Sequence, residues 1–278
     1  MALDLDHLRD WIGRTAEDED IVTPRLIAEY RATLAPALAA VGDGEAPLAL
    51  HWCLSPSIAP LAGLGPDGHA AKGEFLPPVP LPRRMWAGGS IRWTAPLRVG
   101  DRVTRRSTIA DVVVKQGRTG PLCFVSVDHE YETPRGLALS ERHDIVYRGA
   151  TDAAAKPPAP AEARNADLTW EVEATPTLLF RYSAMTFNGH RIHYDQPYVT
   201  GVEGYAGLVV HGPLQASLMF NLAAELGGAP PSTFRYRGLS PLIAGQHFLV
   251  RGRHRSEGGI ACWTETAAGQ ICMEAYTE

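Results

Sequence analysis

With 278 residues, 45% of them hydrophobic and 21% charged, the chain has an ordinary globular composition and the length of two domains rather than one. A formal net charge of −5 argues against a nucleic-acid surface spread over the whole molecule, while a local basic patch for a phosphorylated ligand stays open. The four cysteines (Cys53, Cys123, Cys262 and Cys272) form no C-x-x-C pair, and no run approaches the roughly 20 apolar residues of a membrane span; reduced thiols, a cytoplasmic location and no membrane partner are expected.

The N-terminal MALDLDHLRDWIGRTAEDED is acidic and has no apolar h-region, so it does not read as a signal peptide. Residues 10–38 are predicted helical, with an apolar face from Leu26, Ile27, Tyr30 and Leu34. LHWCLSPSIAPL, from Leu50, is broken by prolines and predicts only a short, irregular helix. From Trp86 onward the pattern changes to strands: SIRWTA, DRVTRRSTIADVVV, LCFVSVDHEYET and LALSERHDIVYR are rich in β-branched and aromatic residues, with Gly, Pro and Asp between them.

GATDAAAKPPAPAEARNAD, starting at Gly149, is rich in Ala and Pro and reads as a linker. It divides the chain into a first domain at 1–149, a linker at 150–166 and a second domain at 167–278. The halves echo each other. RWTAPLRVGD from Arg92 and RGLSPLIAGQ from Arg237 share the frame Arg-x-x-x-Pro-Leu-x-x-Gly at a shift of 237 − 92 = 145, and β-rich sequence follows both.

Between linker and echo lie the most informative stretches. HGPLQASLMFNLAAEL places Leu214, Leu218, Leu222 and Leu226 at i+4 spacing beside Met219 and Ala223, almost without charge. It predicts a helix buried on nearly all sides, with Gly212 at the cap and Pro213 in the first turn. One apolar helix enclosed by a curved antiparallel sheet is an α+β arrangement. Upstream, FNGHRIHYD (187–195) packs two histidines, an asparagine and an aspartate into nine residues. His190, His193 and Asp195 could form a two-His-one-carboxylate metal set on paper. Against that, the motif lies between strand and helix signals, and in an extended segment 193 and 195 would share a face that 190 would not. No metal is expected.

NGHRIHYDQPY followed by YAGLVVHGPLQASL resembles the MaoC-like, hydratase-type branch of the hot-dog fold proteins. That family's usual frame is Asp-x-Asn-Pro-x-His-x-Asp, then a Gly-rich turn and a His-Gly pair opening the central helix. Here Asn188 stands at the first acidic position, His190 at the asparagine, Arg191 at the proline, His193 at the catalytic histidine and Asp195 at the trailing aspartate, while His211 and Gly212 match the His-Gly pair. The resemblance covers most of 168–278. The first half is similar to a degenerate hot-dog that lacks the His motif, as in the double hot-dog type 2 hydroxyacyl-thioester dehydratases and mesaconyl-C4-CoA (3-methylfumaryl-CoA) hydratases.

What the resemblance implies is a double hot-dog that adds water to a 2-enoyl thioester or removes it from a 3-hydroxyacyl thioester. The acyl chain would lie along the central helix of the second half, with no cofactor beyond the coenzyme A or phosphopantetheine of the substrate. His193 is the implied acid–base group, since imidazole titrates near neutrality. Free N–H groups at Gly212 can polarise the thioester carbonyl. Asn188 is read as holding a water, with a turn-forming role as the alternative. His190 is either structural or a second proton carrier; Asp195 reads as a helix cap before a catalytic group, and His211 as fixing the turn into the helix. A second carboxylate on the acyl group would need an arginine, for which Arg191 and Arg181 are candidates. Arg251 and Arg253, on one face of a strand with Arg255, could meet coenzyme A phosphates or simply face solvent; Arg83 and Arg84 form a similar, unspecific pair. A homodimer is expected. A hot-dog thioesterase and a non-catalytic acyl-thioester binding protein are the alternatives, the latter favoured by the missing acid at Asn188.

Overall fold

The computed structural model describes residues 4–117, 120–149 and 164–278, so most of the expected linker lies outside the described residues. In chain order the first half contains α1 (Leu5–Arg9), β1 (Thr15–Ile21), α2 (Pro24–Leu34), β2 (Arg83–Trp93), β3 (Arg102–Gly117), β4 (Gly120–Thr133) and β5 (Gly136–Arg148). The second half contains β6 (Leu168–Glu173), α3 (Pro176–Met185), α4 (Gln196–Gly201), α5 (Gly212–Gly227), β7 (Thr233–Gly238), β8 (His247–His254), β9 (Ile260–Thr266) and β10 (Ile271–Thr277).

All ten strands form one sheet in the order β1-β3-β4-β5-β2-β7-β10-β9-β8-β6. Read outward from the β2–β7 junction, the two halves have the same order. Each half is a five-stranded antiparallel set, and the pair is an α+β double hot-dog. The halves join through the β2–β7 pairing, Gly88 against Arg237 through Arg92 against Thr233, so the two echo segments begin at opposite ends of this ladder.

Residues 10–38 do not form one helix. Thr15–Ile21 is an edge strand, and the helix begins only at Pro24, after the Thr23 hydroxyl has accepted the Leu26 N–H. The reason is non-local. The acidic run Glu17, Asp18 and Glu19 lies against Arg106, Arg105 and Arg102 of β3, with ion pairs of 3.0, 3.1 and 2.7 Å. Helix α2 buries Ile27, Tyr30 and Leu34, the face expected for it.

The central helix α5 is buried without a break from Leu214 to Ala224, and β8, β9 and β10 wrap it. An apolar helix of this kind cannot stand at a surface, and the sheet curves around it. The proline-broken stretch of the first half forms two 3-10 turns instead, Leu50–Cys53 and Leu61–Gly63. The seam between the halves is polar as well as apolar. Glu141, fully buried, accepts from the Trp52 and Tyr236 side chains at 2.6 and 3.0 Å and lies 2.7 Å from His143 Nε2. Burial alone would push its carboxyl up, but His143 and His51 hold it well below the ordinary range. Trp86 stacks on Tyr236 with ring centroids 4.6 Å apart, and so stands beside the start of α5.

Candidate active site

The His motif follows a helix, not a strand. Helix α3 ends at Met185, Phe187 turns the chain through left-handed φ 49°, and the Asn188 N–H donates to Ser183 O at 2.8 Å. The Asn188 Oδ1 then accepts the His190 N–H at 2.9 Å, the turn bond of an Asx motif. The oxygen expected to hold a water thus spends one of its two lone pairs on the turn that leads into the 3-10 helix Arg191–His193.

His193 hangs from that turn into the interior. Its Nδ1 donates to Val209 O at 2.6 Å, and its ring stacks on His211 at 3.6 Å between centroids. A carbonyl can only accept, so the proton is on Nδ1 and Nε2 keeps its lone pair. Burial pushes the His193 imidazole down to about 4; the Val209 carbonyl opposes this and the charge of His69 adds to it. His193 is therefore a neutral base at physiological pH.

His211, fully buried, is the N-cap residue of α5; its Nε2 lies 2.8 Å from the Ser183 hydroxyl. Gly212 is consequently the first helical residue, one position further in than the expected cap, while Pro213 lies in the first turn as expected. The N–H groups of Gly212 and Leu214 have no intrahelical acceptor, and the proline between them has no N–H at all. A Cβ on Gly212 would lie 2.6 Å from Trp86 Cε3, so only glycine lets the helix start and the tryptophan share this space.

Asp195 caps α4. It accepts the Tyr198 N–H at 3.1 Å and two Arg191 guanidinium bonds at 2.9 and 2.8 Å. Arg191 also donates to Pro66 O at 3.0 Å and lies over the Tyr198 ring, which makes it a clamp between halves rather than a free cation. Arg181 is exposed on α3 and reaches only Ala32 O, away from the motif. Arg251 and Arg253 lie on the face of β8 turned away from α5; Arg251 pairs with Glu265 at 2.6 Å, and Arg253 is exposed.

Residues that the sequence reading did not single out complete the site. The first-half loop Asp67-Gly68-His69 docks on Asn188-Gly189-His190. The Arg191 N–H donates to Asp67 O at 2.9 Å, a Cβ on Gly68 (φ +87°) would overlap the Gly189 carbonyl, and one on Gly189 would come within 2.8 Å of Gly68 O. His69 donates from Nδ1 to Asp67 Oδ2 at 2.9 Å, and its ring lies 4.0 Å from that of His190. Burial favours the protonated Asp67 carboxyl, but the hydrogen bonds and charge of His69 outweigh it and keep the group ionised. Burial lowers His190, and the neighbouring His69 and His193 lower it further. The only signal in the sequence is the echo of DGH in NGH, at a shift of 188 − 67 = 121 that does not match the main repeat.

Among the described residues the set placed to hold a cation is Asp67, His69 and His190, whose ligand atoms lie within 4.8 Å of one another; Asp195, tied to Arg191 and the α4 backbone, is not part of it. Both Asp67 oxygens already accept from His69, and the nearby charge of Arg84 works against a bound cation.

The family model for hydroxyacyl-thioester dehydratase type 2 matches residues 49–244, which include the docked loop, the His motif and α5. A mesaconyl-C(4)-CoA hydratase of Chloroflexus aurantiacus is 42% identical over 238 residues, covering 84% of this chain and 84% of that protein. Among solved structures, HtdX of Mycobacterium tuberculosis superposes with a TM-score of 0.65 at 16% identity, over 94% of this chain and 98% of that one. A second M. tuberculosis protein, described as a double hotdog fold, gives 0.55 at 14% identity, over 96% and 95% of the two chains. With a family match across both halves of its active centre, the chain belongs to the type 2 hydroxyacyl-thioester dehydratases.

Proposed function

We propose that this acyl-thioester hydratase/dehydratase acts on a short 2-enoyl-CoA of the mesaconyl-C4 kind, or on the matching 3-hydroxyacyl thioester, with His193 as its proton-transfer group. The observation that carries the reaction is the His193 tautomer: Nδ1 fixed on Val209 O, Nε2 unprotonated in a buried site. The N–H groups of Gly212 and Leu214 at the start of α5 are suited to donate to the thioester carbonyl and to stabilise the enolate charge that develops on it.

In hydration, Nε2 takes a proton from water while the oxygen bonds to the β-carbon. The electron pair of the double bond moves to the thioester as an enolate. The imidazolium returns its proton to the α-carbon, and His193 is neutral again. Dehydration is the reverse. No step needs a metal or a redox cofactor, so strong chelation should leave the rate unchanged; a loss restored by added zinc would instead implicate Asp67, His69 and His190.

Coenzyme A as carrier is favoured by the mesaconyl-C(4)-CoA hydratase relative. No described helix is long and apolar enough to cross a membrane; a cytoplasmic homodimer is part of the same proposal, checked by sedimentation and fractionation. The deciding experiment follows the absorbance of the conjugated enoyl thioester alongside a thiol assay. Absorbance lost without free thiol supports the hydratase. Thiol release would make the protein a thioesterase, and tight binding with neither change would make it a binding protein.

A further inference from the structure

Arg84 is a half-buried cation near the docked loop. It lies on β2, opposite Tyr147 of β5 and two residues before Trp86 in a regular stretch of the strand. Alternate strand residues share a face, and Trp86 points at the start of α5, against Gly212. Arg84 therefore faces the same interior, half-buried. Its field reaches Asp67, His69, Lys72 and His190, the groups gathered around the docked loop, and opposes protonation of each.

Every other arginine that the sequence suggested for an anion is spoken for or faces away from the site. Arg191 holds Asp195, Arg251 holds Glu265, and Arg83, beside Arg84, holds Glu203 at 3.3 Å. Among the described residues Arg84 has no carboxylate within ion-pair distance. The nearest acid to feel it, Asp67, spends both oxygens on His69. Lys72, a second cation in the same place, gives its ammonium to the Val79 and Leu81 carbonyls at 3.0 and 2.6 Å, neither of which carries a charge. A partly desolvated guanidinium without a counter-ion is costly unless an anion arrives to meet it. The phosphates of coenzyme A are poorly placed to do so, because the thioester separates them from the acyl end that reaches the histidines.

We infer that Arg84 is a specificity-determining residue which receives a free carboxylate at the far end of the acyl chain, with Lys72 adding to the field. The inference rests on the hydratase reading above and names the substrate class: a short enoyl thioester that is also a carboxylic acid. The planar fork of arginine can take both carboxylate oxygens and so fix the chain end, holding the double bond against His193. No covalent step is added.

Two measurements test it. In the first, kcat/KM is compared for mesaconyl-C4-CoA and for crotonyl-CoA, which lacks the second carboxylate, in the natural protein and in Arg84→Met and Arg84→Lys. The ratio should favour the dicarboxylic substrate in the natural protein and fall by about 10²-fold in Arg84→Met, the scale of losing one partner of a buried charged pair. Arg84→Lys should recover part of it, since a point charge remains without the fork. Equal losses on both substrates would make Arg84 merely structural, and a natural protein with no preference would overturn the inference. The second measurement needs no turnover: calorimetric binding of succinyl-CoA and butyryl-CoA, neither of which can be hydrated. Arg84→Met should weaken succinyl-CoA selectively. If the natural protein hydrates nothing yet shows this selectivity, the carboxylate site stands and the hydratase reading falls; if it hydrates crotonyl-CoA but binds both acyl-CoAs alike, the reverse holds.

Discussion

The imidazoles of His193 and His211 lie face to face, ring centroids 3.6 Å apart and 17° from parallel, both buried. Two imidazolium ions cannot share that stack. Burial lowers both, and His193 lowers His211 further. The pair is thus held neutral near pH 7.

This sets a pH dependence of stability with a definite sign. The folded His193 titrates near 4 and an unfolded histidine near 6.5, so between these values the unfolded chain binds the extra proton. Stability is full above about pH 6.5 and falls as the pH drops toward 4, by about 3 kcal/mol from His193 alone. Denaturant melts at pH 7 and pH 4.5 should show the loss, and His193→Gln should reduce it. Equal midpoints at the two pH values would mean that His193 is not buried neutral.

Replacing His193 with Ala should lower kcat by about 10²–10⁴, the usual worth of an acid–base group, while far-ultraviolet circular dichroism stays that of the natural protein. Near-normal turnover by a folded His193→Ala protein would remove the mechanism.

How far this site could be read in advance depends on where its partners lie. Helix α5 was legible because Leu214, Leu218 and Leu222 repeat within one segment, and so was the likeness of the two halves, which the β2–β7 junction turns into symmetry. His193 stood out because NGHRIHYD and the later His-Gly pair fit a known frame, although its partners in space, Val209 and His211, come from a later segment. Strand β1 was not legible: a run with the sequence TAEDEDI becomes a strand only because β3 brings arginines to it from more than 80 residues away. The docked loop was hidden for the same reason. Asp67 and His69 join the site through the backbone contact of Gly68 with Gly189, which no local pattern announces. Likewise, nothing in the spacing told the clamped Arg191 from the uncompensated Arg84; only their partners do.

Gly212→Ala tests the start of α5. The added methyl would meet the Trp86 ring at 2.6 Å, and the ring cannot yield easily, packed as it is on Tyr236 and edge-on to Trp52. Overpacking of this kind costs about 1–3 kcal/mol. Both a lower melting temperature and a fall in kcat/KM are expected, with a change in tryptophan fluorescence reporting the displaced ring. A variant of natural stability and rate would mean that Trp86 does not confine the helix start.

Asn188 stands where the frame that the motif resembles begins with an acid, and its geometry makes a distinct forecast. Its Oδ1 accepts the His190 N–H, so the side chain first holds the turn that carries His190 and His193. Asn188→Asp keeps that acceptor, and kcat should stay within about tenfold of the natural value, because His193 remains the proton carrier. Asn188→Leu leaves the N–H without its acceptor, at a cost of about 1–3 kcal/mol, and frees the turn, so kcat should fall far more than KM rises. With His193 held near 4, the ascending limb of its pH profile falls where a carboxylate would also titrate. The two are separated by temperature, since ionisation of an imidazole shifts with heating far more than that of a carboxyl. A low limb in the natural protein that moves strongly with temperature assigns it to His193. One that stays put would show that a carboxylate, with Asp67 the first suspect beside His69 and His190, carries the proton instead.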